Sequence, residues 1–210
     1  MENNNVFIKE NSELRKTARE QLKGNWGIAI LICLLSSIVS GGVSFIPYVK
    51  FFVPILVSGP LALGVIACFM NLVRKEPFNV ETMFDGFRNF LSAFLLQLFM
   101  GIFIFLWMLL LIVPGIIAAL KYSMSFYILN DNPEIKPMEA IKQSKKMMDG
   151  YKWKFFCLLF SFFGWFLLSI LTIGIGLLWL IPYMKATTAN FYQNLKDNLE
   201  DNLVEPIKVL

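Results

Sequence analysis

The sequence predicts an all-α, polytopic membrane protein with six transmembrane helices arranged as three hairpins, each preceded by a cytoplasmic amphipathic helix. Three observations carry this expectation. The 210-residue chain is 57% hydrophobic, 15% aromatic and only 16% charged, too apolar for an ordinary globular domain. The stretch from Phe90 to Asn130 holds one charge, Lys121, and as a single straight helix it would run about 60 Å, twice the roughly 30 Å hydrocarbon thickness of a bilayer. It must turn back. Cations, finally, gather before and between the predicted hairpins, while Lys50 is the one charge in the opposite loops.

Residues 1–11 read as a polar arm without periodicity, expected to be disordered. Ser12 is placed to cap a helix over Glu13–Lys23, in which Leu14, Ala18 and Leu22 form an apolar stripe beside Arg15, Arg19 and Lys23. That pattern suits a helix lying at a membrane surface on anionic lipid. Trp26 marks the interface and opens an apolar run to about Val49, and a second run from Phe52 to Leu72 returns. Ser40-Gly41-Gly42, Pro54 and Gly59-Pro60 are expected to bend or interrupt these two helices. No cleaved leader is expected, because the first apolar run lacks a short h-region with a small-residue cleavage site.

Asn79 is placed to cap a second amphipathic helix with Val80, Met83, Phe84 and Phe87 on one face. The central hairpin then runs out over Phe90–Val113, breaks at Pro114-Gly115 and returns over Gly115–Asn130, where proline removes a donor and glycine permits the turn. This return is the shortest crossing, and a helix lying in the interface is the competing reading. Pro137 suits the first turn of a third amphipathic helix reaching Met148. Ala140, Ile141, Ser144, Met147 and Met148 share one arc of it, and Lys142, Lys145 and Lys146 occupy another. Phe155 to about Thr172 crosses, Thr172–Gly176 turns, and Leu177 to about Leu195 returns before a polar tail over residues 199–210.

Residues 12–195 therefore read as one membrane domain, with repeats expected at 12–75, 76–135 and 136–198. Gly24, Gly86 and Gly150 each precede an aromatic and an apolar hairpin. Pro60, Pro114 and Pro182 lie near the starts of the returning helices, and Phe69, Phe126 and Phe191 precede Leu72, Leu129 and Leu195 near their ends. By the positive-inside bias both termini and all three amphipathic helices are cytoplasmic.

The composition removes most enzymatic apparatus. There is no histidine, the commonest general base and metal ligand. Cys33, Cys68 and Cys157 lie in apolar runs without CxxC spacing and read as packing residues. No phosphate-binding loop or nucleophile elbow occurs. No catalytic residue, metal site or cofactor is expected. The basic helices interleave with glutamates and adjoin spans, so lipid suits them better than nucleic acid.

All fifteen carboxylates lie outside the predicted spans, while Lys121 and Lys185 lie within them. An intramembrane lysine is a default candidate for an anionic ligand or lipid phosphate. Tyr122 beside Lys121, and Thr187, Thr188 and Asn190 beside Lys185, would complete such a site. Snorkelling to the interface, or hydrogen bonding between helices, is the alternative.

The motifs Leu14-Arg15-x-x-Ala18-Arg19-x-x-Leu22-Lys23-Gly24-Asn25-Trp26, Gly59-Pro60-Leu61-x-Leu63-Gly64, Pro114-Gly115-Ile116-Ile117, Tyr122-Ser123-Met124, Asp131-Asn132-Pro133, Glu139-Ala140-Ile141-x-x-Ser144 and Gly174-Ile175-Gly176 with Pro182-Tyr183 occur in order. With these the chain, over roughly Ser12 to Leu195, resembles the bacterial integral membrane family known as domain of unknown function 975. The resemblance implies a multi-pass protein of a bacterial plasma membrane and supplies no catalytic residues. More loosely the chain is similar to the membrane domain attached to some glycerophosphodiester phosphodiesterases. Their barrel has no counterpart in these residues, so their activity is not implied. Two functional classes remain: a non-enzymatic membrane scaffold or accessory subunit, with a membrane protein or a second copy as partner, and a small transporter or lipid- or anion-handling protein.

Overall fold

The computed structural model describes residues 9–42 and 52–204, whose regular structure is entirely helical. The expected arm before Lys9, the first hairpin tip with Lys50, and the last residues of the tail lie outside the described residues. The helices are α1 (Asn11–Leu22), α2 (Trp26–Gly42), α3 (Phe52–Arg74), α4 (Thr82–Asp85), α5 (Phe90–Leu110), α6 (Ile112–Tyr122), α7 (Ser125–Asp131), α8 (Pro137–Met147), α9 (Lys152–Phe160), α10 (Phe163–Leu171) and α11 (Leu177–Val204).

Four stretches are long and apolar enough to cross a membrane: Leu56–Arg74, Phe90–Leu110, Ile112–Asp131 and Lys152–Leu171. The α1–α2 pair, bent by 98°, raises the number to at most five, against the six expected. α11 is the helix that composition does not qualify, because its second half is polar. Its interior position accounts for this. Ala186, Thr187, Ala189, Asn190, Phe191, Tyr192 and Leu195 of α11 are all buried, so the polar groups of Thr187, Asn190 and Tyr192 are enclosed by protein. The helix also continues to Val204, through the start of the expected tail.

The spans form an inner and an outer set. The most apolar windows of Leu56–Arg74 and Ile112–Asp131 are 61% and 50% buried, against 11% and 22% for Phe90–Leu110 and Lys152–Leu171. α3 and the α6–α7 stretch thus line the core, and α5 and the α9–α10 stretch cover it. Phe69, Phe126 and Phe191, with Leu72, Leu129 and Leu195, are buried in one cluster. α1 lays Leu14, Ala18 and Leu22 inward, each at most 1% exposed. α8 does the same with Ala140, Ile141 and Ser144 while Lys142, Lys145 and Lys146 stay exposed.

Three local expectations are corrected. The central hairpin breaks at Leu111, not at Pro114-Gly115: Leu111 is extended and α6 begins at Ile112. Pro114 falls in the first turn of α6, where its missing N–H costs no intrahelical bond. The returning limb is thereby lengthened to Ile112–Asp131, 20 residues. Second, α3 runs helically through Pro60 rather than breaking there. Third, the helix expected after Asn79 is the single turn α4, followed by successive turns into α5. Close packing explains its shortness, since a methyl group on Gly86 would overlap the Pro60 carbonyl, and one on Gly64 would overlap that of Met83. At the N-terminus α1 starts at Asn11, one residue before the expected cap Ser12.

Candidate functional site

The densest polar arrangement among the described residues is a junction where α3, α7 and α11 end or pass together. Asp131, the last residue of α7, has a side chain only 5% exposed. Arg74, the last residue of α3, donates to both of its oxygens at 2.8 Å. Lys196 of α11 donates to Oδ2 at 2.6 Å, and the Tyr192 hydroxyl donates to the same oxygen at 3.1 Å. Arg74 Nε also donates to Gln193 Oε1 at 3.0 Å. Both contacts to Asp131 come from one nitrogen, Nη2, so the carboxylate is bridged by a single guanidinium corner while Nε is turned to Gln193. Tyr192 stacks on Tyr127 with centroids 5.0 Å apart, which holds the hydroxyl toward the carboxylate. One carboxylate thus ties the ends of α3 and α7 to the side of α11.

The polar groups expected beside Lys185 make their bonds to other partners. Lys185 is half-buried beside Cys33 of α2 and has no hydrogen-bond or ion-pair partner among the described residues. The hydroxyls of Thr187 and Thr188 donate to the carbonyls of Tyr183 and Met184 in their own helix, at 2.8 and 2.9 Å. Asn190 donates to Gln21 Oε1 at 2.6 Å and to the Ala186 carbonyl at 2.9 Å. Their polar atoms are thus directed to backbone and to α1. Tyr122 is buried against Phe103, under the Lys145 ammonium 5.5 Å from its ring. Lys121 is half-buried at the end of α6. Beyond it, exposed Asp149 is bonded by Lys152 at 2.7 Å, which holds that carboxyl below its ordinary range, with Lys121 contributing more weakly.

Among the expected surface cations, Lys23, Lys142, Lys145 and Lys146 are exposed. Arg15 bonds the carbonyl of Asn11, and Arg19 reaches the Tyr183 hydroxyl of α11. Sequence reasoning missed the Asp131 junction. Its residues were visible only as a loop motif and as part of the cation count.

Two cavities with mostly apolar linings flank the α9–α10 limb. One, of about 420 Å³, lies between α10 and the start of α11 and is lined by Arg19 and three tryptophans, Trp26, Trp165 and Trp179. The other, of about 500 Å³, lies between α6 and the α9–α10 limb and is lined by phenylalanines with no charged residue.

No curated protein and no solved structure matches the chain. The family model described as "Protein of unknown function (DUF975)" matches it over residues 1–119 and 108–199. Nearly the whole described helical assembly falls within those limits, and the chain belongs to the DUF975 family.

Proposed function

We propose that the protein is a non-enzymatic scaffold or accessory subunit of a bacterial plasma membrane, crossing six times with both termini cytoplasmic. The observation that carries this is the distribution of its polar and apolar groups. The closest-knit charged groups tie helices to one another at Asp131. The exposed faces of α5, α6 and α10 are continuous apolar surface, from Phe105 to Ile117 and from Phe163 to Ile175. Such a molecule offers surface to lipid or to another membrane protein.

Several features support the topology. The 98° bend lets α1 lie along a surface while α2 enters the bilayer. α11 can cross despite its composition because its polar side chains are enclosed by protein. The common burial of the Phe and Leu positions near the ends of the three returning helices favours a triplicated hairpin. Cysteines at Asn132 and at Leu111, the exposed residue at the break between α5 and α6, in a cysteine-free background, would be probed with an impermeant thiol reagent in intact cells. Labelling at Leu111 alone is expected, and labelling at Asn132 would sink the six-crossing topology.

The transporter or anion-handling reading is favoured by one observation, the half-buried Lys185, which has no acceptor among the described residues. Native mass spectrometry of gently extracted wild type and of the Lys121→Leu, Lys185→Leu double variant separates the two. A stoichiometric protein partner retained by both is expected. An anionic metabolite lost only from the variant would reverse the assignment.

A further inference from the structure

We propose that the groove between α10, the start of α11 and α1 is a binding site for one anionic phospholipid, whose phosphate sits on Arg19 and whose acyl chain lies along Trp165, Leu168 and Trp179. The proposal rests on the reading of the chain as a membrane protein with α1 at the cytoplasmic surface, and it adds a defined site to that reading.

The polar end is built. Tyr183 donates its hydroxyl to the Arg15 carbonyl at 3.2 Å, which fixes the ring against α1. The Arg19 guanidinium lies 5.7 Å from that ring's centroid, and one of its nitrogens meets the hydroxyl at 3.5 Å. A cation over an aromatic face is oriented without being neutralised. Arg19 has no carboxylate partner among the described residues, although Glu13 and Glu20 share its helix; the ion pair there is Lys9 with Glu13. Apart from the contact to Tyr183, its N–H donors have no partner among the described residues, and a guanidinium presents a planar fork that matches two phosphate oxygens.

The rest of the groove is apolar. Its volume, about 420 Å³, lies in the range of small-molecule pockets. Arg19 is the one charged residue lining it. The hydroxyls of Ser169 and Thr172 are already bonded to the carbonyls of Trp165 and Ser169, so they offer the ligand no donor. Trp165 and Trp179 are 55% and 49% exposed, and their half-open indoles present broad apolar faces along which an acyl chain can lie. One cation with no carboxylate partner among the described residues, heading an apolar trough, calls for an amphiphile carrying one negative charge at its end. A zwitterionic lipid brings a second cation to the same place. The phenylalanine-lined cavity beside α6 has no charged residue and would take acyl chains without selecting head groups.

Three of the five tryptophans line this groove, so their fluorescence reports its occupant. The full chain carrying Trp107→Phe and Trp153→Phe would be reconstituted in vesicles. Quenching by acyl-brominated phosphatidylglycerol in a phosphatidylcholine background would be compared with quenching by brominated phosphatidylcholine in a phosphatidylglycerol background. The expected result is a preference for phosphatidylglycerol of about fivefold in apparent affinity, the size of one cation's attraction to anionic lipid. Arg19→Gln should abolish the preference, and Lys23→Gln, outside the groove, should keep it. Equal quenching by the two lipids in the parent protein overturns the proposal without needing any groove variant to fold. A preference that survives Arg19→Gln also overturns it. Absence of quenching by either lipid would remove the membrane placement itself, whereas loss of the lipid preference alone leaves that placement standing.

Discussion

Ser144 on α8 donates its hydroxyl to the carbonyl of Lys121 on α6 at 2.8 Å, and the same oxygen accepts the Met124 N–H at 3.2 Å. These backbone groups flank the interruption between α6 and α7, and Ser144 is fully buried. One hydroxyl from a neighbouring helix thus occupies the gap in the helical ladder. Ser144→Ala should lower stability by about 2 kcal/mol, because a buried donor and acceptor lose their partner. Thermal unfolding in mild detergent checks this, and an unchanged midpoint would remove the role assigned to the hydroxyl.

The junction predicts an ordered series. Asp131→Asn should cost about 3 kcal/mol, toward the low end for a broken ion pair, since the Arg74 and Lys196 side chains left unpaired remain 28% and 30% exposed. Arg74→Gln and Lys196→Gln should each cost less, about 1–2 kcal/mol, because the carboxylate keeps its other donors. The same unfolding measurement ranks the three. An Arg74→Gln effect larger than that of Asp131→Asn would show that the carboxylate is not the centre of the junction.

Much of the helical order was legible because period is local. Leu14, Ala18 and Leu22, and likewise Ala140, Ile141 and Ser144, announce an inward stripe at helical spacing, and all six are buried. Proline was read too strongly, since Pro114 and Pro60 occupy helical positions, where a first turn or the surrounding packing tolerates them. The junction was not legible. Arg74 and Asp131 stand 57 positions apart, and nothing local to either names its partner. The same limit applies to Thr187 and Asn190, which beside Lys185 suggested a ligand site but bond to backbone and to Gln21. Composition describes a helix and says nothing of what surrounds it, so the sequence of α11 gives no sign that Thr187, Asn190 and Tyr192 are buried among other helices.

Helix contact through glycine gives a second contrast. A side chain on Gly64 would overlap the Met83 backbone, whereas Gly101 in α5 has open space around it. Gly64→Ala should cost about 2–3 kcal/mol through forced separation of α3 and α4. Gly101→Ala should instead stabilise by about 0.5–1 kcal/mol, through reduced chain entropy and better helix propensity. Equal effects at the two sites, measured in the same detergent, would contradict the close approach.

The three glycines that rhyme in the sequence should respond differently. Gly24 and Gly150 have φ of 91° and 80° with nothing close to a side chain, so their requirement is conformational. Gly86 is helical, with φ −57°, and its requirement is space against Pro60 and Gly64. Asparagine tolerates the left-handed region better than alanine but is larger. At Gly24 and Gly150, substitution by alanine should cost about 1–2 kcal/mol and by asparagine less. At Gly86 the order should reverse, with asparagine the more damaging. Unfolding midpoints of the six variants decide it, and one common order at all three positions would mean that the same constraint, not two, governs these turns.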